Sequence, residues 1–264
     1  MEWASIELTR FDMLLLLLLG FVVTIGARMI LFRETLSAKT LIRGWKEAPE
    51  FQVIPSYPHI PKLGINLRKL PSNRFESQCM LHIRTRDYEN FDMLENFFET
   101  QTKFFGKNHY ALLIFGDKYK QNNTGLQPWQ VISLAKKFFY KVGVVVNPTP
   151  TERTLDQEMK SLQQKLKENP DFVVTQCVYD IKKTMDFLQA AQISHDQLCI
   201  NLGYWNDGFP FEKFGMWNPE KLKSPPKQLV DFTLRNCKML YICGNHSILR
   251  NANFPFFLNN STNS

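Results

Sequence analysis

From Cys79 onward, short unbroken apolar runs alternate with longer amphipathic stretches, and this rhythm restricts the chain to a parallel sheet covered by helices on its faces. Strands are expected at Cys79 to Arg84, Ala111 to Phe115, Val142 to Val146, Phe172 to Thr175, Leu198 to Leu202 and Met239 to Cys243. Helices are expected between them, at Tyr88 to Phe105, Pro128 to Tyr140, Glu152 to Lys167 and Asp180 to Gln192. Six strands at this spacing suit an incomplete or modified (β/α)8 TIM-like barrel, or an open doubly wound sheet. No Gly-rich phosphate loop follows any strand, which weakens the open nucleotide-binding sheet.

With 264 residues, 44% of them hydrophobic and 22% charged, the chain buries a full core and is not a disordered protein. Its net charge of +7 is spread along the sequence rather than blocked. A solvated basic surface accounts for it, and no nucleic-acid partner is expected. The five cysteines form no CxxC pair, and most lie in or beside apolar runs, as reduced core cysteines do.

Met13 to Ala27 is uncharged, and extended through Phe32 it reaches about 30 Å as a helix, enough to cross a bilayer. Glu2, Glu7 and Asp12 outnumber Arg10 ahead of it, unlike the basic start of a signal peptide or presequence. A single transmembrane helix over residues 13–32, in contact with membrane lipid, is therefore expected. Arg28, Arg33, Lys39, Arg43 and Lys46 crowd its carboxyl side, which points the following domain to the cytoplasm or the mitochondrial matrix. Between residues 33 and 77, five prolines forbid long helices and suggest a linker that packs along something. The expected division is a tail over 1–12, the membrane helix over 13–32, this segment over 33–77, a barrel over 78–250 and a C-terminal tail over 251–264.

The run KLKENPDFVVTQCVYDIKKTMDF, Lys165 to Phe187, resembles the flavin-dependent methylenetetrahydrofolate reductases, whose sixth barrel strand ends in Ile-Thr-Gln before aromatics and an acid. LHIR at Leu81 to Arg84, LIFGD at Leu113 to Asp117, VVNP at Val145 to Pro148 and YICGNH at Tyr241 to His246 follow that family's strand ends in order. The resemblance tips the architecture toward the barrel. It implies that His82, Gly116 and Asp117 contact a flavin, that Glu158 and Lys165 hold the ribose and pyrophosphate of FAD, and that Gln176 binds folate. Read without it, His82 is a core histidine, Asp117 a loop residue, and Glu158 and Lys165 an ordinary solvated helix face.

The chain also departs from that family. Phe115 stands where an arginine precedes Gly-Asp, Asn147 and Thr151 replace a tyrosine and a histidine, and His246 replaces an arginine. The family's first two strands, with the glutamate that serves as general acid, have no clear counterpart. Glu50, in the PEF of Pro49 to Phe51, is the nearest imitation. No catalytic residue is assigned, Asp117 and Glu50 being the only candidates. The expectation is a barrel without its first two strands, whose open edges near Cys79 and Met239 call for protein partners. These departures, with the membrane helix, give the expectation of an inactive, membrane-anchored accessory subunit of a membrane complex, the respiratory chain being the first candidate. Topology, the acidic-flanked anchor and the reduced cysteines point it to the mitochondrial inner membrane, with the barrel in the matrix and no cofactor expected. The alternative is an active, tethered reductase of one-carbon metabolism using FAD. No metal ligand set is evident.

Overall fold

The computed structural model describes residues 30–34, 51–54, 79–116, 125–150, 154–178, 180–204 and 227–244. Eight parallel strands run in sequence order and close on themselves. They are β1 (Ile30–Glu34), β2 (Phe51–Ile54), β3 (Cys79–Arg84), β4 (Tyr110–Ile114), β5 (Lys141–Val146), β6 (Phe172–Thr175), β7 (Leu198–Tyr204) and β8 (Met239–Gly244). The described helices are α1 (Phe91–Phe105), α2 (Pro128–Ala135), α3 (Leu155–Lys167), α4 (Ile181–Ala191) and α5 (Lys227–Asn236).

Closure corrects the expectation of an incomplete barrel. β2 pairs with β3 from Gln52 opposite Cys79, and β1 pairs with both β2 and β8, Ile30 lying opposite Met239. The edges expected to stand open near Cys79 and Met239 are therefore occupied by the chain's own backbone, which removes the reason for requiring a partner there. Both added strands come from sequence assigned to other roles. Residues 30–32 begin a strand rather than complete a membrane helix, and the proline-rich segment over 33–77 supplies the end of β1 and all of β2. Residues 13–29 of the expected membrane helix lie outside the described residues, as does the apolar C-terminal tail. Among the described residues no helix is long and apolar enough to cross a membrane.

Local sequence explains the helix starts. Asn90 caps α1 by accepting a hydrogen bond from the Met93 N–H at 2.9 Å, and Asp180 caps α4 in the same way through the Lys183 N–H at 2.9 Å. That backbone bond holds the Asp180 carboxyl below its ordinary range. Thr154 and Gln157 form a reciprocal box at the start of α3, each side chain accepting from the other's N–H. Pro128 opens α2, where its missing N–H costs nothing.

Alternation along each strand sorts side chains into two cores. Residues such as Leu81, Ile83, Leu113, Val144, Val173 and Ile200 face outward and pack beneath the helices. Met80, Tyr110, Leu112, Phe172, Val174, Cys199, Met239, Tyr241 and Cys243 fill the barrel interior. Inside, Gly143 leaves the space that the Phe172 ring occupies, since a Cβ there would lie 2.2 Å from the ring. His109, at the opposite end of the strands from the mouth, accepts from the Cys79 N–H at 3.0 Å through Nδ1, fastening β3 to the start of β4.

Candidate functional site

In a closed parallel barrel the carboxyl ends of the strands open onto the loops, and side chains projecting inward from the last strand positions line a mouth. Here that level is reached by Arg84 at the end of β3, Gly116 after β4, Asn147 after β5 and Gln176 after β6. Met80, His82 and Arg84 share the inward face of β3 by strand alternation.

Arg84 is the most demanding group in this region. It is 7% exposed, and its Nη2 lies 3.2 Å from Asp87 Oδ1, a carboxylate that is itself 47% exposed and so largely screened by water. Its Nε is buried and donates to no partner among the described residues. Gly116, with φ +86, lies beside it, and a Cβ at that position would stand 2.7 Å from the same Nε. The left-handed backbone and the lack of a side chain at Gly116 thus leave room for the guanidinium. Thr85 and Arg86 continue from Arg84 as a short 3-10 turn, and the Arg86 guanidinium stacks 4.0 Å over the Phe115 ring.

One layer deeper, His82 Nε2 and the Tyr241 hydroxyl are 3.4 Å apart across the barrel. Burial lowers the His82 pKa to about 4, so the ring is neutral at pH 7. Because the folded-state value is below the ordinary 6.5, the unfolded chain binds the extra proton more readily between the two. Stability is fully present above about pH 6.5 and declines as pH falls toward about 4. The His82 share of that loss is on the order of 2 kcal/mol, allowing for its partial exposure. Thermal unfolding of His82→Gln across that range is expected to show a correspondingly shallower acid decline than the parent chain.

The other expected site residues are placed differently. Glu158 and Lys165 do share one face of α3, but it is the face turned to β5. Both are buried: Glu158 Oε1 accepts from the Asn147 N–H at 2.9 Å, and Lys165 Nζ donates to the Val145 carbonyl at 2.6 Å. They stitch the helix to the end of its strand, which corrects their assignment to the ribose and pyrophosphate of FAD and also excludes a solvated face. Phe115 carries Arg86 on its ring. Engaged with the backbone of β5 and the residue after it, Glu158 and Lys165 do not fit the role of holding a ribose and pyrophosphate. Gln176 has an exposed side chain, and its N–H bonds to the Val146 carbonyl at 2.7 Å. Asp117, Glu50, Thr151 and His246 lie outside the described residues. Among the described residues no three His, Cys, Asp or Glu side chains stand together as a metal ligand set.

No protein-family model matches the chain, and no curated protein matches it. Solved structures do. Oxaloacetate acetylhydrolase bound to 3,3-difluorooxalacetate superposes with a TM-score of 0.54 at 10% identity, covering 85% of this chain and 78% of its own. A 2,3-dimethylmalate lyase, a member of the PEP mutase/isocitrate lyase superfamily, gives 0.53 at 8% identity over 86% and 80%. A Burkholderia cenocepacia J2315 protein described as a phosphonomutase gives 0.51 at 10% over 92% and 98%. At such identities the likeness shows the barrel fold. These neighbours are a hydrolase, a lyase and a mutase rather than flavin-dependent folate reductases. The expected family is overturned with them, and so are the FAD, the respiratory accessory role and the tethered-reductase alternative drawn from it.

Proposed function

We propose that the barrel mouth binds a small anionic metabolite, a carboxylate or phosphate compound, with Arg84 as its charge anchor. The supporting observation is the buried guanidinium, packed against Gly116, whose Nε has no hydrogen-bond partner among the described residues. A buried donor without an acceptor costs about 1–3 kcal/mol, more when charged, and an anion arriving from the mouth removes that cost. Arginine suits the task because its planar fork matches carboxylate and phosphate oxygens in pairs. The neutral His82 and Tyr241 beneath it add hydrogen-bonding capacity without a second charge. The structural neighbours act on such compounds: one was solved with its product oxalate, and another is a phosphonomutase.

Titration of the full chain with oxalate and, separately, with inorganic phosphate, followed by calorimetry, tests the assignment. Saturable binding of at least one anion is expected, weakened about 10- to 100-fold in Arg84→Gln, the loss of one or two charge-assisted hydrogen bonds. Equal binding by parent and variant, or no binding of either anion by the parent, overturns it.

A further inference from the structure

Cys177 and Cys243 come from strand ends that are not neighbours in the sheet. Cys177 directly follows Gln176 beyond β6, Cys243 lies on β8, and β7 runs between them. Their sulfurs are nonetheless only 3.0 Å apart. The intervening strand takes part as well, since the Cys243 thiol donates to Asn201 Oδ1 at 3.2 Å. None of the five cysteines is joined in a disulfide, and these two differ in exposure: Cys177 is partly exposed, whereas Cys243 is 2% exposed.

We infer that Cys177 and Cys243 form a reversible thiol–disulfide site at the barrel mouth, oxidised by low-molecular-weight disulfides. The reaction runs in two exchanges. The Cys177 sulfur attacks one sulfur of the incoming disulfide, forming a mixed disulfide while the other half leaves as a thiol carrying the proton Cys177 gave up. The Cys243 sulfur then attacks the Cys177 sulfur, the mixed bond breaks, and the second half leaves as a thiol with the Cys243 proton. The two cysteines are oxidised, and one external disulfide is reduced to two thiols. Exposure assigns the first attack to Cys177, and the contact makes Cys243 the resolving thiol. An approach of about 1 Å separates the present contact from the ordinary sulfur–sulfur bond length.

The remaining cysteines do not compete. Cys79 and Cys199 are fully buried, and burial pushes both thiols upward in pKa, while that of Cys237 is pushed up to about 12. Thiols held protonated in apolar surroundings are poor nucleophiles. The bond between Cys177 and Cys243 would tie the segment bearing Gln176 to β8, fixing one side of the mouth.

Oxidised glutathione is the probe. The folded full chain is incubated with it, quenched by acid, alkylated, and mapped by non-reducing peptide mass spectrometry, with circular dichroism to establish that the fold persists. The expected result is a loss of two alkylatable thiols and a Cys177–Cys243 cross-linked peptide, both reversed by dithiothreitol. In Cys243→Ser, glutathione is expected to remain on Cys177, and in Cys177→Ser no adduct is expected on Cys243. Should either variant fail to fold, acid quenching at early times in the parent chain is expected to trap glutathione on Cys177 ahead of the cross-link. Stable glutathione on Cys177 of the parent, a link from either residue to Cys79, Cys199 or Cys237, or no loss of alkylatable thiols overturns the assignment. The readout is covalent and requires no anion, so it stands or falls apart from the role of Arg84.

Discussion

Gly143→Val is expected to lower the thermal midpoint of the chain by about 6–12 °C, the equivalent of about 3 kcal/mol for a domain of this size. The reason lies inside the barrel. A Cβ at position 143 would sit 2.2 Å from Cε2 and 2.5 Å from Cζ of Phe172. Phe172 is fully buried and lies against the Tyr110 ring, with centroids 5.8 Å apart, so its ring has little room to retreat. Neither the strand nor the ring can yield without disturbing the ladder that joins Gly143 to Phe172 across β5 and β6. The effect should depend on that ring. In a Phe172→Leu background the same valine is expected to cost less by about 1–3 kcal/mol, the coupling typical of residues in contact. A valine tolerated in the parent within a degree, or additive losses in the double variant, would show that the interior is not packed around this pair.

Phe98→Ala is the second large loss, about 3–5 kcal/mol, which corresponds to roughly 6–20 °C in the midpoint. Phe98 lies on α1 with no exposed surface, and its ring meets Phe139 edge-on at 5.2 Å and Phe138 at 5.7 Å. Removing it opens a void between α1 and the segment leading from α2 into β5, where the Phe138 and Phe139 rings lose the ring they pack on. Phe91, on the same helix but 44% exposed, provides the control. Its alanine variant is expected within about 0.5 kcal/mol of the parent. Comparable losses at both positions would mean that α1 is seated differently on the barrel.

The strands from β3 to β8 are legible because each is a short, mainly apolar run buried on both faces, and such runs stand out from the helices that flank them. β1 and β2 are not. ILFRE carries two charges, and its first three residues complete the apolar stretch over 13–32 that reads as a membrane helix, while FQVI spans four residues between Pro49 and Pro55. Their place is fixed by pairing with distant strands, which a local pattern does not display. α5, KQLVDFTLRN, was also missed, lying just beyond the adjacent Pro225 and Pro226.

At the site, the sequence showed that Glu158 and Lys165 share a helix face but not which way that face turns. Two charged side chains on a helix look like solvent contacts until the backbone atoms they reach on β5 are known. Arg84 was within the quoted LHIR run, two positions after His82 and therefore on the same inward face. The available signal was a charge ending an alternating strand. That signal alone does not mark a site, because the room beside the guanidinium depends on Gly116, which follows the next strand.

Barrel closure also bears on how the molecule is assembled. The seam between β1 and β8 joins Ile30 to Met239, the most sequence-distant pairing in the sheet, whereas every other pair links consecutive strands. Contacts of that span must repay a large loss of chain freedom before they stabilise anything, so the seam belongs to the late stages of folding. Until it forms, β1 and β8 each carry a row of backbone groups open to any passing strand. The ring that leaves the finished molecule without an edge therefore gives the growing one its period of greatest exposure to aggregation.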